Sequence, residues 1–138
     1  MFELMTKLVE TRFKAGWDAS AASTVPVRWQ NMPWKQPASA EWIAFNIIEG
    51  DGIQASLGSV LERQFAVVMV QVFTPKNSGK RRGAALADIV AGILRRISFS
   101  SEGITIVFET PASAHVGESR DIYQTNVNVP FRGEKIFS

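Results

Sequence analysis

Two stretches of the chain place apolar residues at helical spacing. Residues 2–13 carry apolar side chains three or four positions apart, with charged residues at the other angles. The same spacing recurs from residue 86 to residue 97. We therefore predict two amphipathic helices. Gly16 is predicted to end the first helix, and Arg95 and Arg96 are predicted to lie in the last turn of the second, where cations complement the helix dipole.

Strand signals lie between the two helical stretches. Residues 25–29 alternate apolar and polar side chains, but Pro26 has no N–H to donate, which predicts a short edge strand. Residues 42–49 also show a period of two, and the Gly-Asp-Gly run at 50–52 is a turn signal. This turn predicts a hairpin in which residues 53–57 pair with the preceding strand.

The strongest strand signal comes next, and two more follow the second helix. Residues 65–74 form the most apolar segment and are predicted to be a central strand buried on both faces. Residues 104–109 and 122–130 are predicted to be the last two strands, joined by a loop that carries His115 and Gly117. Six residues are predicted to be buried where the central strand packs against the second helix: Val68, Val70, Val72, Ile89, Val90 and Ile93.

The order of these elements predicts the fold class. One helix, several strands, a second helix and two strands indicate an α+β fold, with a largely antiparallel mixed β-sheet packed against two α-helices. A chain of 138 residues that is 46% hydrophobic can form one domain, so residues 1–138 are expected to be a single unit. No apolar run approaches about 18 residues, and the N-terminus is charged, so neither a membrane span nor a signal peptide is expected.

Composition restricts the chemistry that the chain can perform. There is no cysteine, which excludes disulfides, thiolate zinc sites and cysteine nucleophiles. His115 is the only histidine, and a loop or strand-edge position is expected for it. The Ser-Gly-Lys run at 78–80 does not complete a phosphate-binding loop, because Thr74 and Arg81 occupy the places of a required glycine and hydroxyl residue. Carboxylates are scattered, so no catalytic residue, cofactor or metal site is predicted.

The basic residues form one local cluster. The net charge of +2 is too small for general binding to a polyanion, so any charge-driven contact needs such a patch. Lys80, Arg81 and Arg82 lie just before the second helix, where cations oppose the positive end of its dipole. A solvated loop and a contact with an anionic partner both remain possible interpretations.

An aromatic loop with two prolines follows the first strand, at residues 30–37. Aromatic side chains of this kind are enriched in interface hot spots, although both tryptophans in or beside the loop could instead fold back over the core. The two regions together supply the candidate contacts with another subunit or partner: Trp29, Asn31, Trp34, Lys76, Lys80, Arg81 and Arg82.

Four segments, taken in order, resemble a known family. They are VRWQNMP at 27–33, QVFTP at 71–75 with Gly79 beyond it, Ala87-Asp88 on the second helix, and YQTNVNVPF at 123–131. Their order and spacing are similar to those of phage tail terminator proteins from long, non-contractile tails. The resemblance runs from the first helix to Phe131, which is nearly the whole chain.

The resemblance implies a structural virion protein without enzyme activity or cofactor. It implies a ring, usually of six copies, that sits on the last ring of the tail tube, stops polymerisation and offers a surface for head joining. The implied partners are other copies of the chain, the tail tube protein and head-tail connector proteins, with DNA only passing through the ring. The implied location is the virion tail, assembled in the host cytoplasm from phage or prophage genes.

Two other classes of function compete with this one. A small nucleic-acid-binding module could stack bases on Trp42, Phe45 and Phe73 while the basic loop holds phosphates. A carboxylate hydrolase using His115 would show pH- or metal-dependent turnover. Binding to single-stranded nucleic acid that weakens steeply with salt would favour the module.

Overall fold

A computed structural model describes residues 1–38, 41–54, 60–77, 79–119 and 122–137. The elements are α1 (Phe2–Asp18), β1 (Val27–Trp29), β2 (Trp42–Gln54), β3 (Val60–Pro75), α2 (Arg81–Leu94), β4 (Ser98–Ser101), β5 (Ile104–Phe108), β6 (Ala112–Ser119) and β7 (Ile122–Phe137). The predicted α+β class is confirmed.

The seven strands form one mixed sheet in the order β1-β2-β3-β7-β5-β4, with β6 also pairing with β7. Only the pairing of β1 with β2 is parallel among the described strands, so the sheet is largely antiparallel. Strand β7 pairs with β3 from Ile122 to Phe137, and its other edge is shared by β6 and β5. As expected for a strand that begins next to Pro26, β1 is short and lies at the edge.

Both helices cover the same face of the sheet, called here the helix-covered face. The buried side of α1 includes Phe13, whose ring centroid lies 4.7 Å from that of Phe45 on β2. A Cβ placed on Gly83 of α2 would lie 3.1 Å from Oγ1 of Thr125 on β7. Alternate residues of β3 from Ala66 to Thr74 face this layer and are buried. These contacts form one core between a helical layer and a sheet.

The other side of the sheet, called here the open face, carries no helix. Residues of β3 that point to it are less buried than their neighbours, and Phe65 is 37% exposed. The prediction that this strand is buried on both faces is therefore wrong. Strand alternation assigns Val67 and Met69 to the open face, where both side chains are only half-buried.

The helices differ from the sequence prediction at their ends. Helix α1 continues past Gly16, because this glycine lies against α2, where an added Cβ would be 2.6 Å from Cγ2 of Ile93. Helix α2 ends at Leu94, so Arg95 and Arg96 follow the helix instead of forming its last turn. Val90 is buried as predicted, but Ile89 and Ile93 are only half-buried, because α2 turns Leu86, Val90 and Leu94 towards the sheet.

The Gly-Asp-Gly run at 50–52 is not a turn. Strand β2 runs through it with a register shift between Glu49 and Gly52, and its hairpin partner is β3 rather than residues 53–57. Gly50 lies close to β3, since an added Cβ would be 3.1 Å from the carbonyl oxygen of Phe65. The glycines therefore serve a bulge within a long strand. Residues 55–57 of the predicted strand lie outside the described residues.

The loop predicted to carry His115 is largely strand β6, with a register shift between His115 and Gly117. Strand β4 was also missed by the sequence pattern. Both strands are short or rich in small polar residues, and both gain their hydrogen bonds from a neighbour already in the sheet. Their formation depends on tertiary pairing more than on local propensity.

Candidate functional site

The basic cluster lies at the start of α2. Lys80 occupies the N-cap position, and Arg81 and Arg82 are the first two residues of the helix. Arg82 makes a two-pronged ion pair with Glu41, in which Nε donates to Oε2 at 3.1 Å and Nη2 donates to Oε1 at 2.7 Å. The hydrogen bond to Glu41 raises the pKa of the Arg82 guanidinium, against a smaller opposite effect of burial. One of the three cations thus has its anionic partner within the chain.

The other two cations are available to a partner. Lys80 and Arg81 are exposed, and neither has an ion-pair partner within the part of the chain that the structure describes. Lys76 differs from them, because its Nζ lies 3.9 Å from Oε2 of Glu118. Lys80 and Arg81 are therefore uncompensated cations at this end of the sheet.

The two tryptophans of the aromatic loop point to opposite faces of the sheet. Trp29 packs on the helix-covered face, with its ring centroid 5.3 Å from that of Phe45. Trp34 is half-buried and lies 6.1 Å from Trp42 between ring centroids. Asn31 is exposed and has a positive φ of 58°. The loop carries exposed contact area, and its role in assembly stays a prediction.

The three aromatic side chains that the nucleic-acid hypothesis assigns to base stacking do not lie on one face of the sheet. Trp42 and Phe73 stack on the open face with centroids 4.6 Å apart. Phe45 belongs to the core on the other face and is 1% exposed, while Trp42 is 5% exposed. Side chains on opposite faces of a sheet cannot stack successive bases of one strand, so this geometry disfavours that module.

His115 lies on β6, an edge strand, which agrees with one of the two positions expected for it. Its Nδ1 is 3.0 Å from the hydroxyl of Tyr123, and it is exposed.

Within residues 1–38, 41–54, 60–77, 79–119 and 122–137, no group of three or more His, Cys, Asp or Glu side chains could hold a metal ion. The described helices include none that is long and apolar enough to cross a membrane.

A row of exposed apolar side chains on the open face was not identified from the sequence. It comprises Ile48, Ile53, Phe65 and Ile136 of β2, β3 and β7, which are 48%, 46%, 37% and 70% exposed. The sequence feature that could have revealed this row is a change of polarity along β3. Side chains facing the helices are polar at Glu62 and Gln64 and apolar from Ala66 to Val72.

An ion-pair network borders this apolar row. Arg63 Nε lies 2.7 Å and Arg132 Nε 3.1 Å from the same oxygen, Oε1 of Glu134. Arg132 also lies 3.7 Å from Glu109. Burial by itself would raise the pKa of Glu134, but hydrogen bonds from the two arginines outweigh it, and the pKa is lowered. The network links β3, β7 and the end of β5 across the sheet.

The sequence of the chain matches one known protein family over most of its length. The family model of phage tail terminator proteins matches residues 4–131. The chain belongs to the phage tail terminator family. Membership covers nearly the whole chain and makes the protein a structural component of the virion tail. The resemblance drawn from the four sequence segments is therefore confirmed.

Solved structures share the fold of this family member at low sequence identity. One, which carries no functional name, has a TM-score of 0.75 and 15% identity, covering 100% of this chain and 98% of its own. Another is the virion of a native gene transfer agent particle, with a TM-score of 0.55 and 15% identity, covering 91% and 92%. The comparison with curated proteins gave no match.

Proposed function

We propose that this tail terminator forms a closed ring, of six copies, on the last ring of the tail tube. The ring stops tube polymerisation and offers its outer surface to the proteins that join the head. The observation that carries the proposal is the family match over residues 4–131. A ring requires two different patches on each subunit that fit one another, and it requires no catalytic group. We accordingly propose that the protein is not an enzyme.

The candidate partners are further copies of the chain, the tail tube protein and the head-tail connector proteins. DNA would contact the ring only while passing through it, and assembly would take place in the host cytoplasm, from phage or prophage genes. The uncompensated charges of Lys80 and Arg81 and the exposed loop around Asn31 support contacts of this kind. The gene transfer agent structure supports a place in a virion, since that particle contains a chain of the same fold.

Electron microscopy tests the proposal directly. Tail tube protein is polymerised alone and with increasing amounts of this protein, and the lengths and ends of the tubes are recorded. We expect shorter tubes with annular caps, and native mass spectrometry of the caps should give six copies per ring. Tubes of unchanged length with bare ends, at a molar excess of folded protein, would refute the capping function. A closed ring of another size would refute the hexamer alone.

A further inference from the structure

The far end of the sheet has its polarity reversed relative to the rest. This end, called here the distal arm, comprises residues 48–54 of β2, 60–65 of β3 and 132–137 of β7. In the body of the sheet the helix-covered face is apolar, with Val68 and Val70 fully buried. On the arm that same face carries Glu62 and Gln64, beside Gly133, which lies under Met5 of α1. A sheet segment with its apolar side turned away from its own core is suited to pack against another molecule.

The apolar side chains of the arm lie on both sides of the ion-pair network, because Arg63 and Glu134 separate Leu61 and Ile136 from Phe65. In the strand register, Leu61 pairs with Ile136, and Ile53 pairs with Arg63 two positions further along β3. Phe65 follows on the same face, two positions beyond Arg63. Ile136, the next-to-last residue of β7, is 70% exposed. The described residues supply no helix that covers this surface.

The edge and polar side of the arm carry three exposed carboxylates, beside one cation, Lys135, which is the strand partner of Glu62. Glu49, Asp51 and Glu62 are exposed, and none has an ion-pair partner among the residues that the structure describes. Two of the exposed cations that have no ion-pair partner among the described residues, Lys80 and Arg81, lie at the other end of the sheet, because α2 begins after the C-terminal end of β3.

These two charged regions cannot neutralise each other within one copy. Glu62 lies near the start of β3, and Lys80 lies beyond its last residue, Pro75. A strand rises about 3.3 Å per residue, which places the two ends on the order of 40 Å apart. Ion pairs form within about 4 Å, so opposite charges at opposite ends can meet only between copies.

We propose that the distal arm of one copy docks on the α2 end of the next copy, head to tail. In this contact Glu49, Asp51 and Glu62 face the neighbour's Lys80 and Arg81, and the apolar side of the arm contributes buried area. Val116, which is 57% exposed on β6 near this end, supplies an apolar counterpart. The inference rests on the proposed ring, because a head-to-tail contact that repeats with a closing rotation produces one.

Charge exchange between two variants tests the contact. The first variant, Glu49→Lys with Glu62→Lys, makes the arm basic. The second, Lys80→Glu with Arg81→Glu, makes the α2 end acidic. Each variant alone brings like charges together, and we expect its association to weaken at least tenfold. An equimolar mixture pairs each altered arm with the other variant's altered end, so assemblies of alternating composition should recover.

The readouts are sedimentation velocity and native mass spectrometry in solution, and the fraction of capped tube ends when tubes are present. Circular dichroism checks that each variant is folded. A control with the same change of charge, Asp18→Lys with Asp88→Lys, alters exposed carboxylates away from the arm and should assemble like the parent.

The possible outcomes separate this contact from the ring itself. Folded variants that each assemble like the parent, or a mixture that fails to recover, would overturn the arm contact and leave the ring intact. Variants that form normal rings yet fail to cap tubes would assign the arm to the tube protein, which also overturns the proposal. A parent that neither assembles nor caps tubes would refute the ring function instead.

Discussion

Gly133 allows α1 to lie directly on the sheet, and replacing it with alanine should disturb this packing. An added Cβ at Gly133 would lie 2.6 Å from Sδ, 2.8 Å from Cε and 2.9 Å from Cγ of Met5. Real Cβ atoms do not approach other heavy atoms this closely. Met5 is fully buried, so its thioether has to move within a packed interior. Gly133→Ala is therefore an overpacking mutation at the α1–β7 contact.

The magnitude follows from two opposing effects. Overpacking of a core costs about 1–3 kcal/mol. Alanine restricts the unfolded chain, which returns about 0.4–1 kcal/mol because Gly133 does not have a positive φ. We expect a net loss of about 1–2 kcal/mol in the free energy of unfolding. Met5→Ala alone should cost about 2–5 kcal/mol through the cavity that it leaves.

A double-mutant cycle isolates the contact between the two residues. In the double variant the new methyl group at Gly133 occupies part of the space vacated by Met5. Its loss should therefore be smaller than the sum of the single losses by about 1 kcal/mol or more. Urea denaturation at one fixed protein concentration measures all four proteins, since self-association would make stability depend on concentration.

The control and the refuting result are both defined by the structure. Gly92 lies on the exposed side of α2, and an added Cβ would meet nothing within 4 Å. Gly92→Ala should therefore stabilise the protein by about 0.5–1 kcal/mol through helix propensity alone. If Gly133→Ala is as stabilising as this control, or if the cycle is additive within about 0.5 kcal/mol, the proposed close packing of Met5 is wrong.

Three further predictions concern the second helix, an ion pair and the aromatic loop. Leu94→Ala should lower the free energy of unfolding, measured by urea denaturation, by about 2–5 kcal/mol, and Ile93→Ala should lower it clearly less, because only Leu94 of the two is fully buried. Equal losses for the two variants would contradict this assignment. Glu134→Gln should destabilise the protein above the ordinary carboxylate pKa, because the lowered pKa of Glu134 stabilises the folded state there. That difference should vanish as pH falls through the lowered pKa, and a pH-independent difference in urea titrations would exclude this cause. Trp34→Ala should weaken association more than folding, and identical light scattering of variant and parent across concentrations would contradict a role in assembly.

Some features could be predicted because neighbouring residues along the chain determine them. The helical spacing of α1 and α2 and the β-branched run in β3 are local patterns, and each produced the expected element. The edge position of β1 followed from the missing N–H of Pro26. The absence of cysteine likewise excluded thiol chemistry from the sequence alone.

Other features depend on contacts between distant parts of the chain. Gly16 was interpreted as a helix end and Gly50 as part of a turn, yet each permits close approach by a residue that the local pattern does not reveal. The partners are Ile93 of α2 and Phe65 of β3. A glycine has the same sequence signal in both roles, so only the tertiary structure distinguishes a chain reversal from a close contact.

The candidate contact surfaces likewise have some features that the sequence determines and others that depend on the tertiary structure. The sequence by itself determined that Lys80, Arg81 and Arg82 are clustered, because they are adjacent in the chain. The tertiary structure decided that Glu41 neutralises Arg82. It also decided that apolar residues from three strands lie uncovered on one face of the distal arm, around an ion-pair network. Strand alternation is local, but which face is covered depends on where the helices pack, and that is a property of the whole fold.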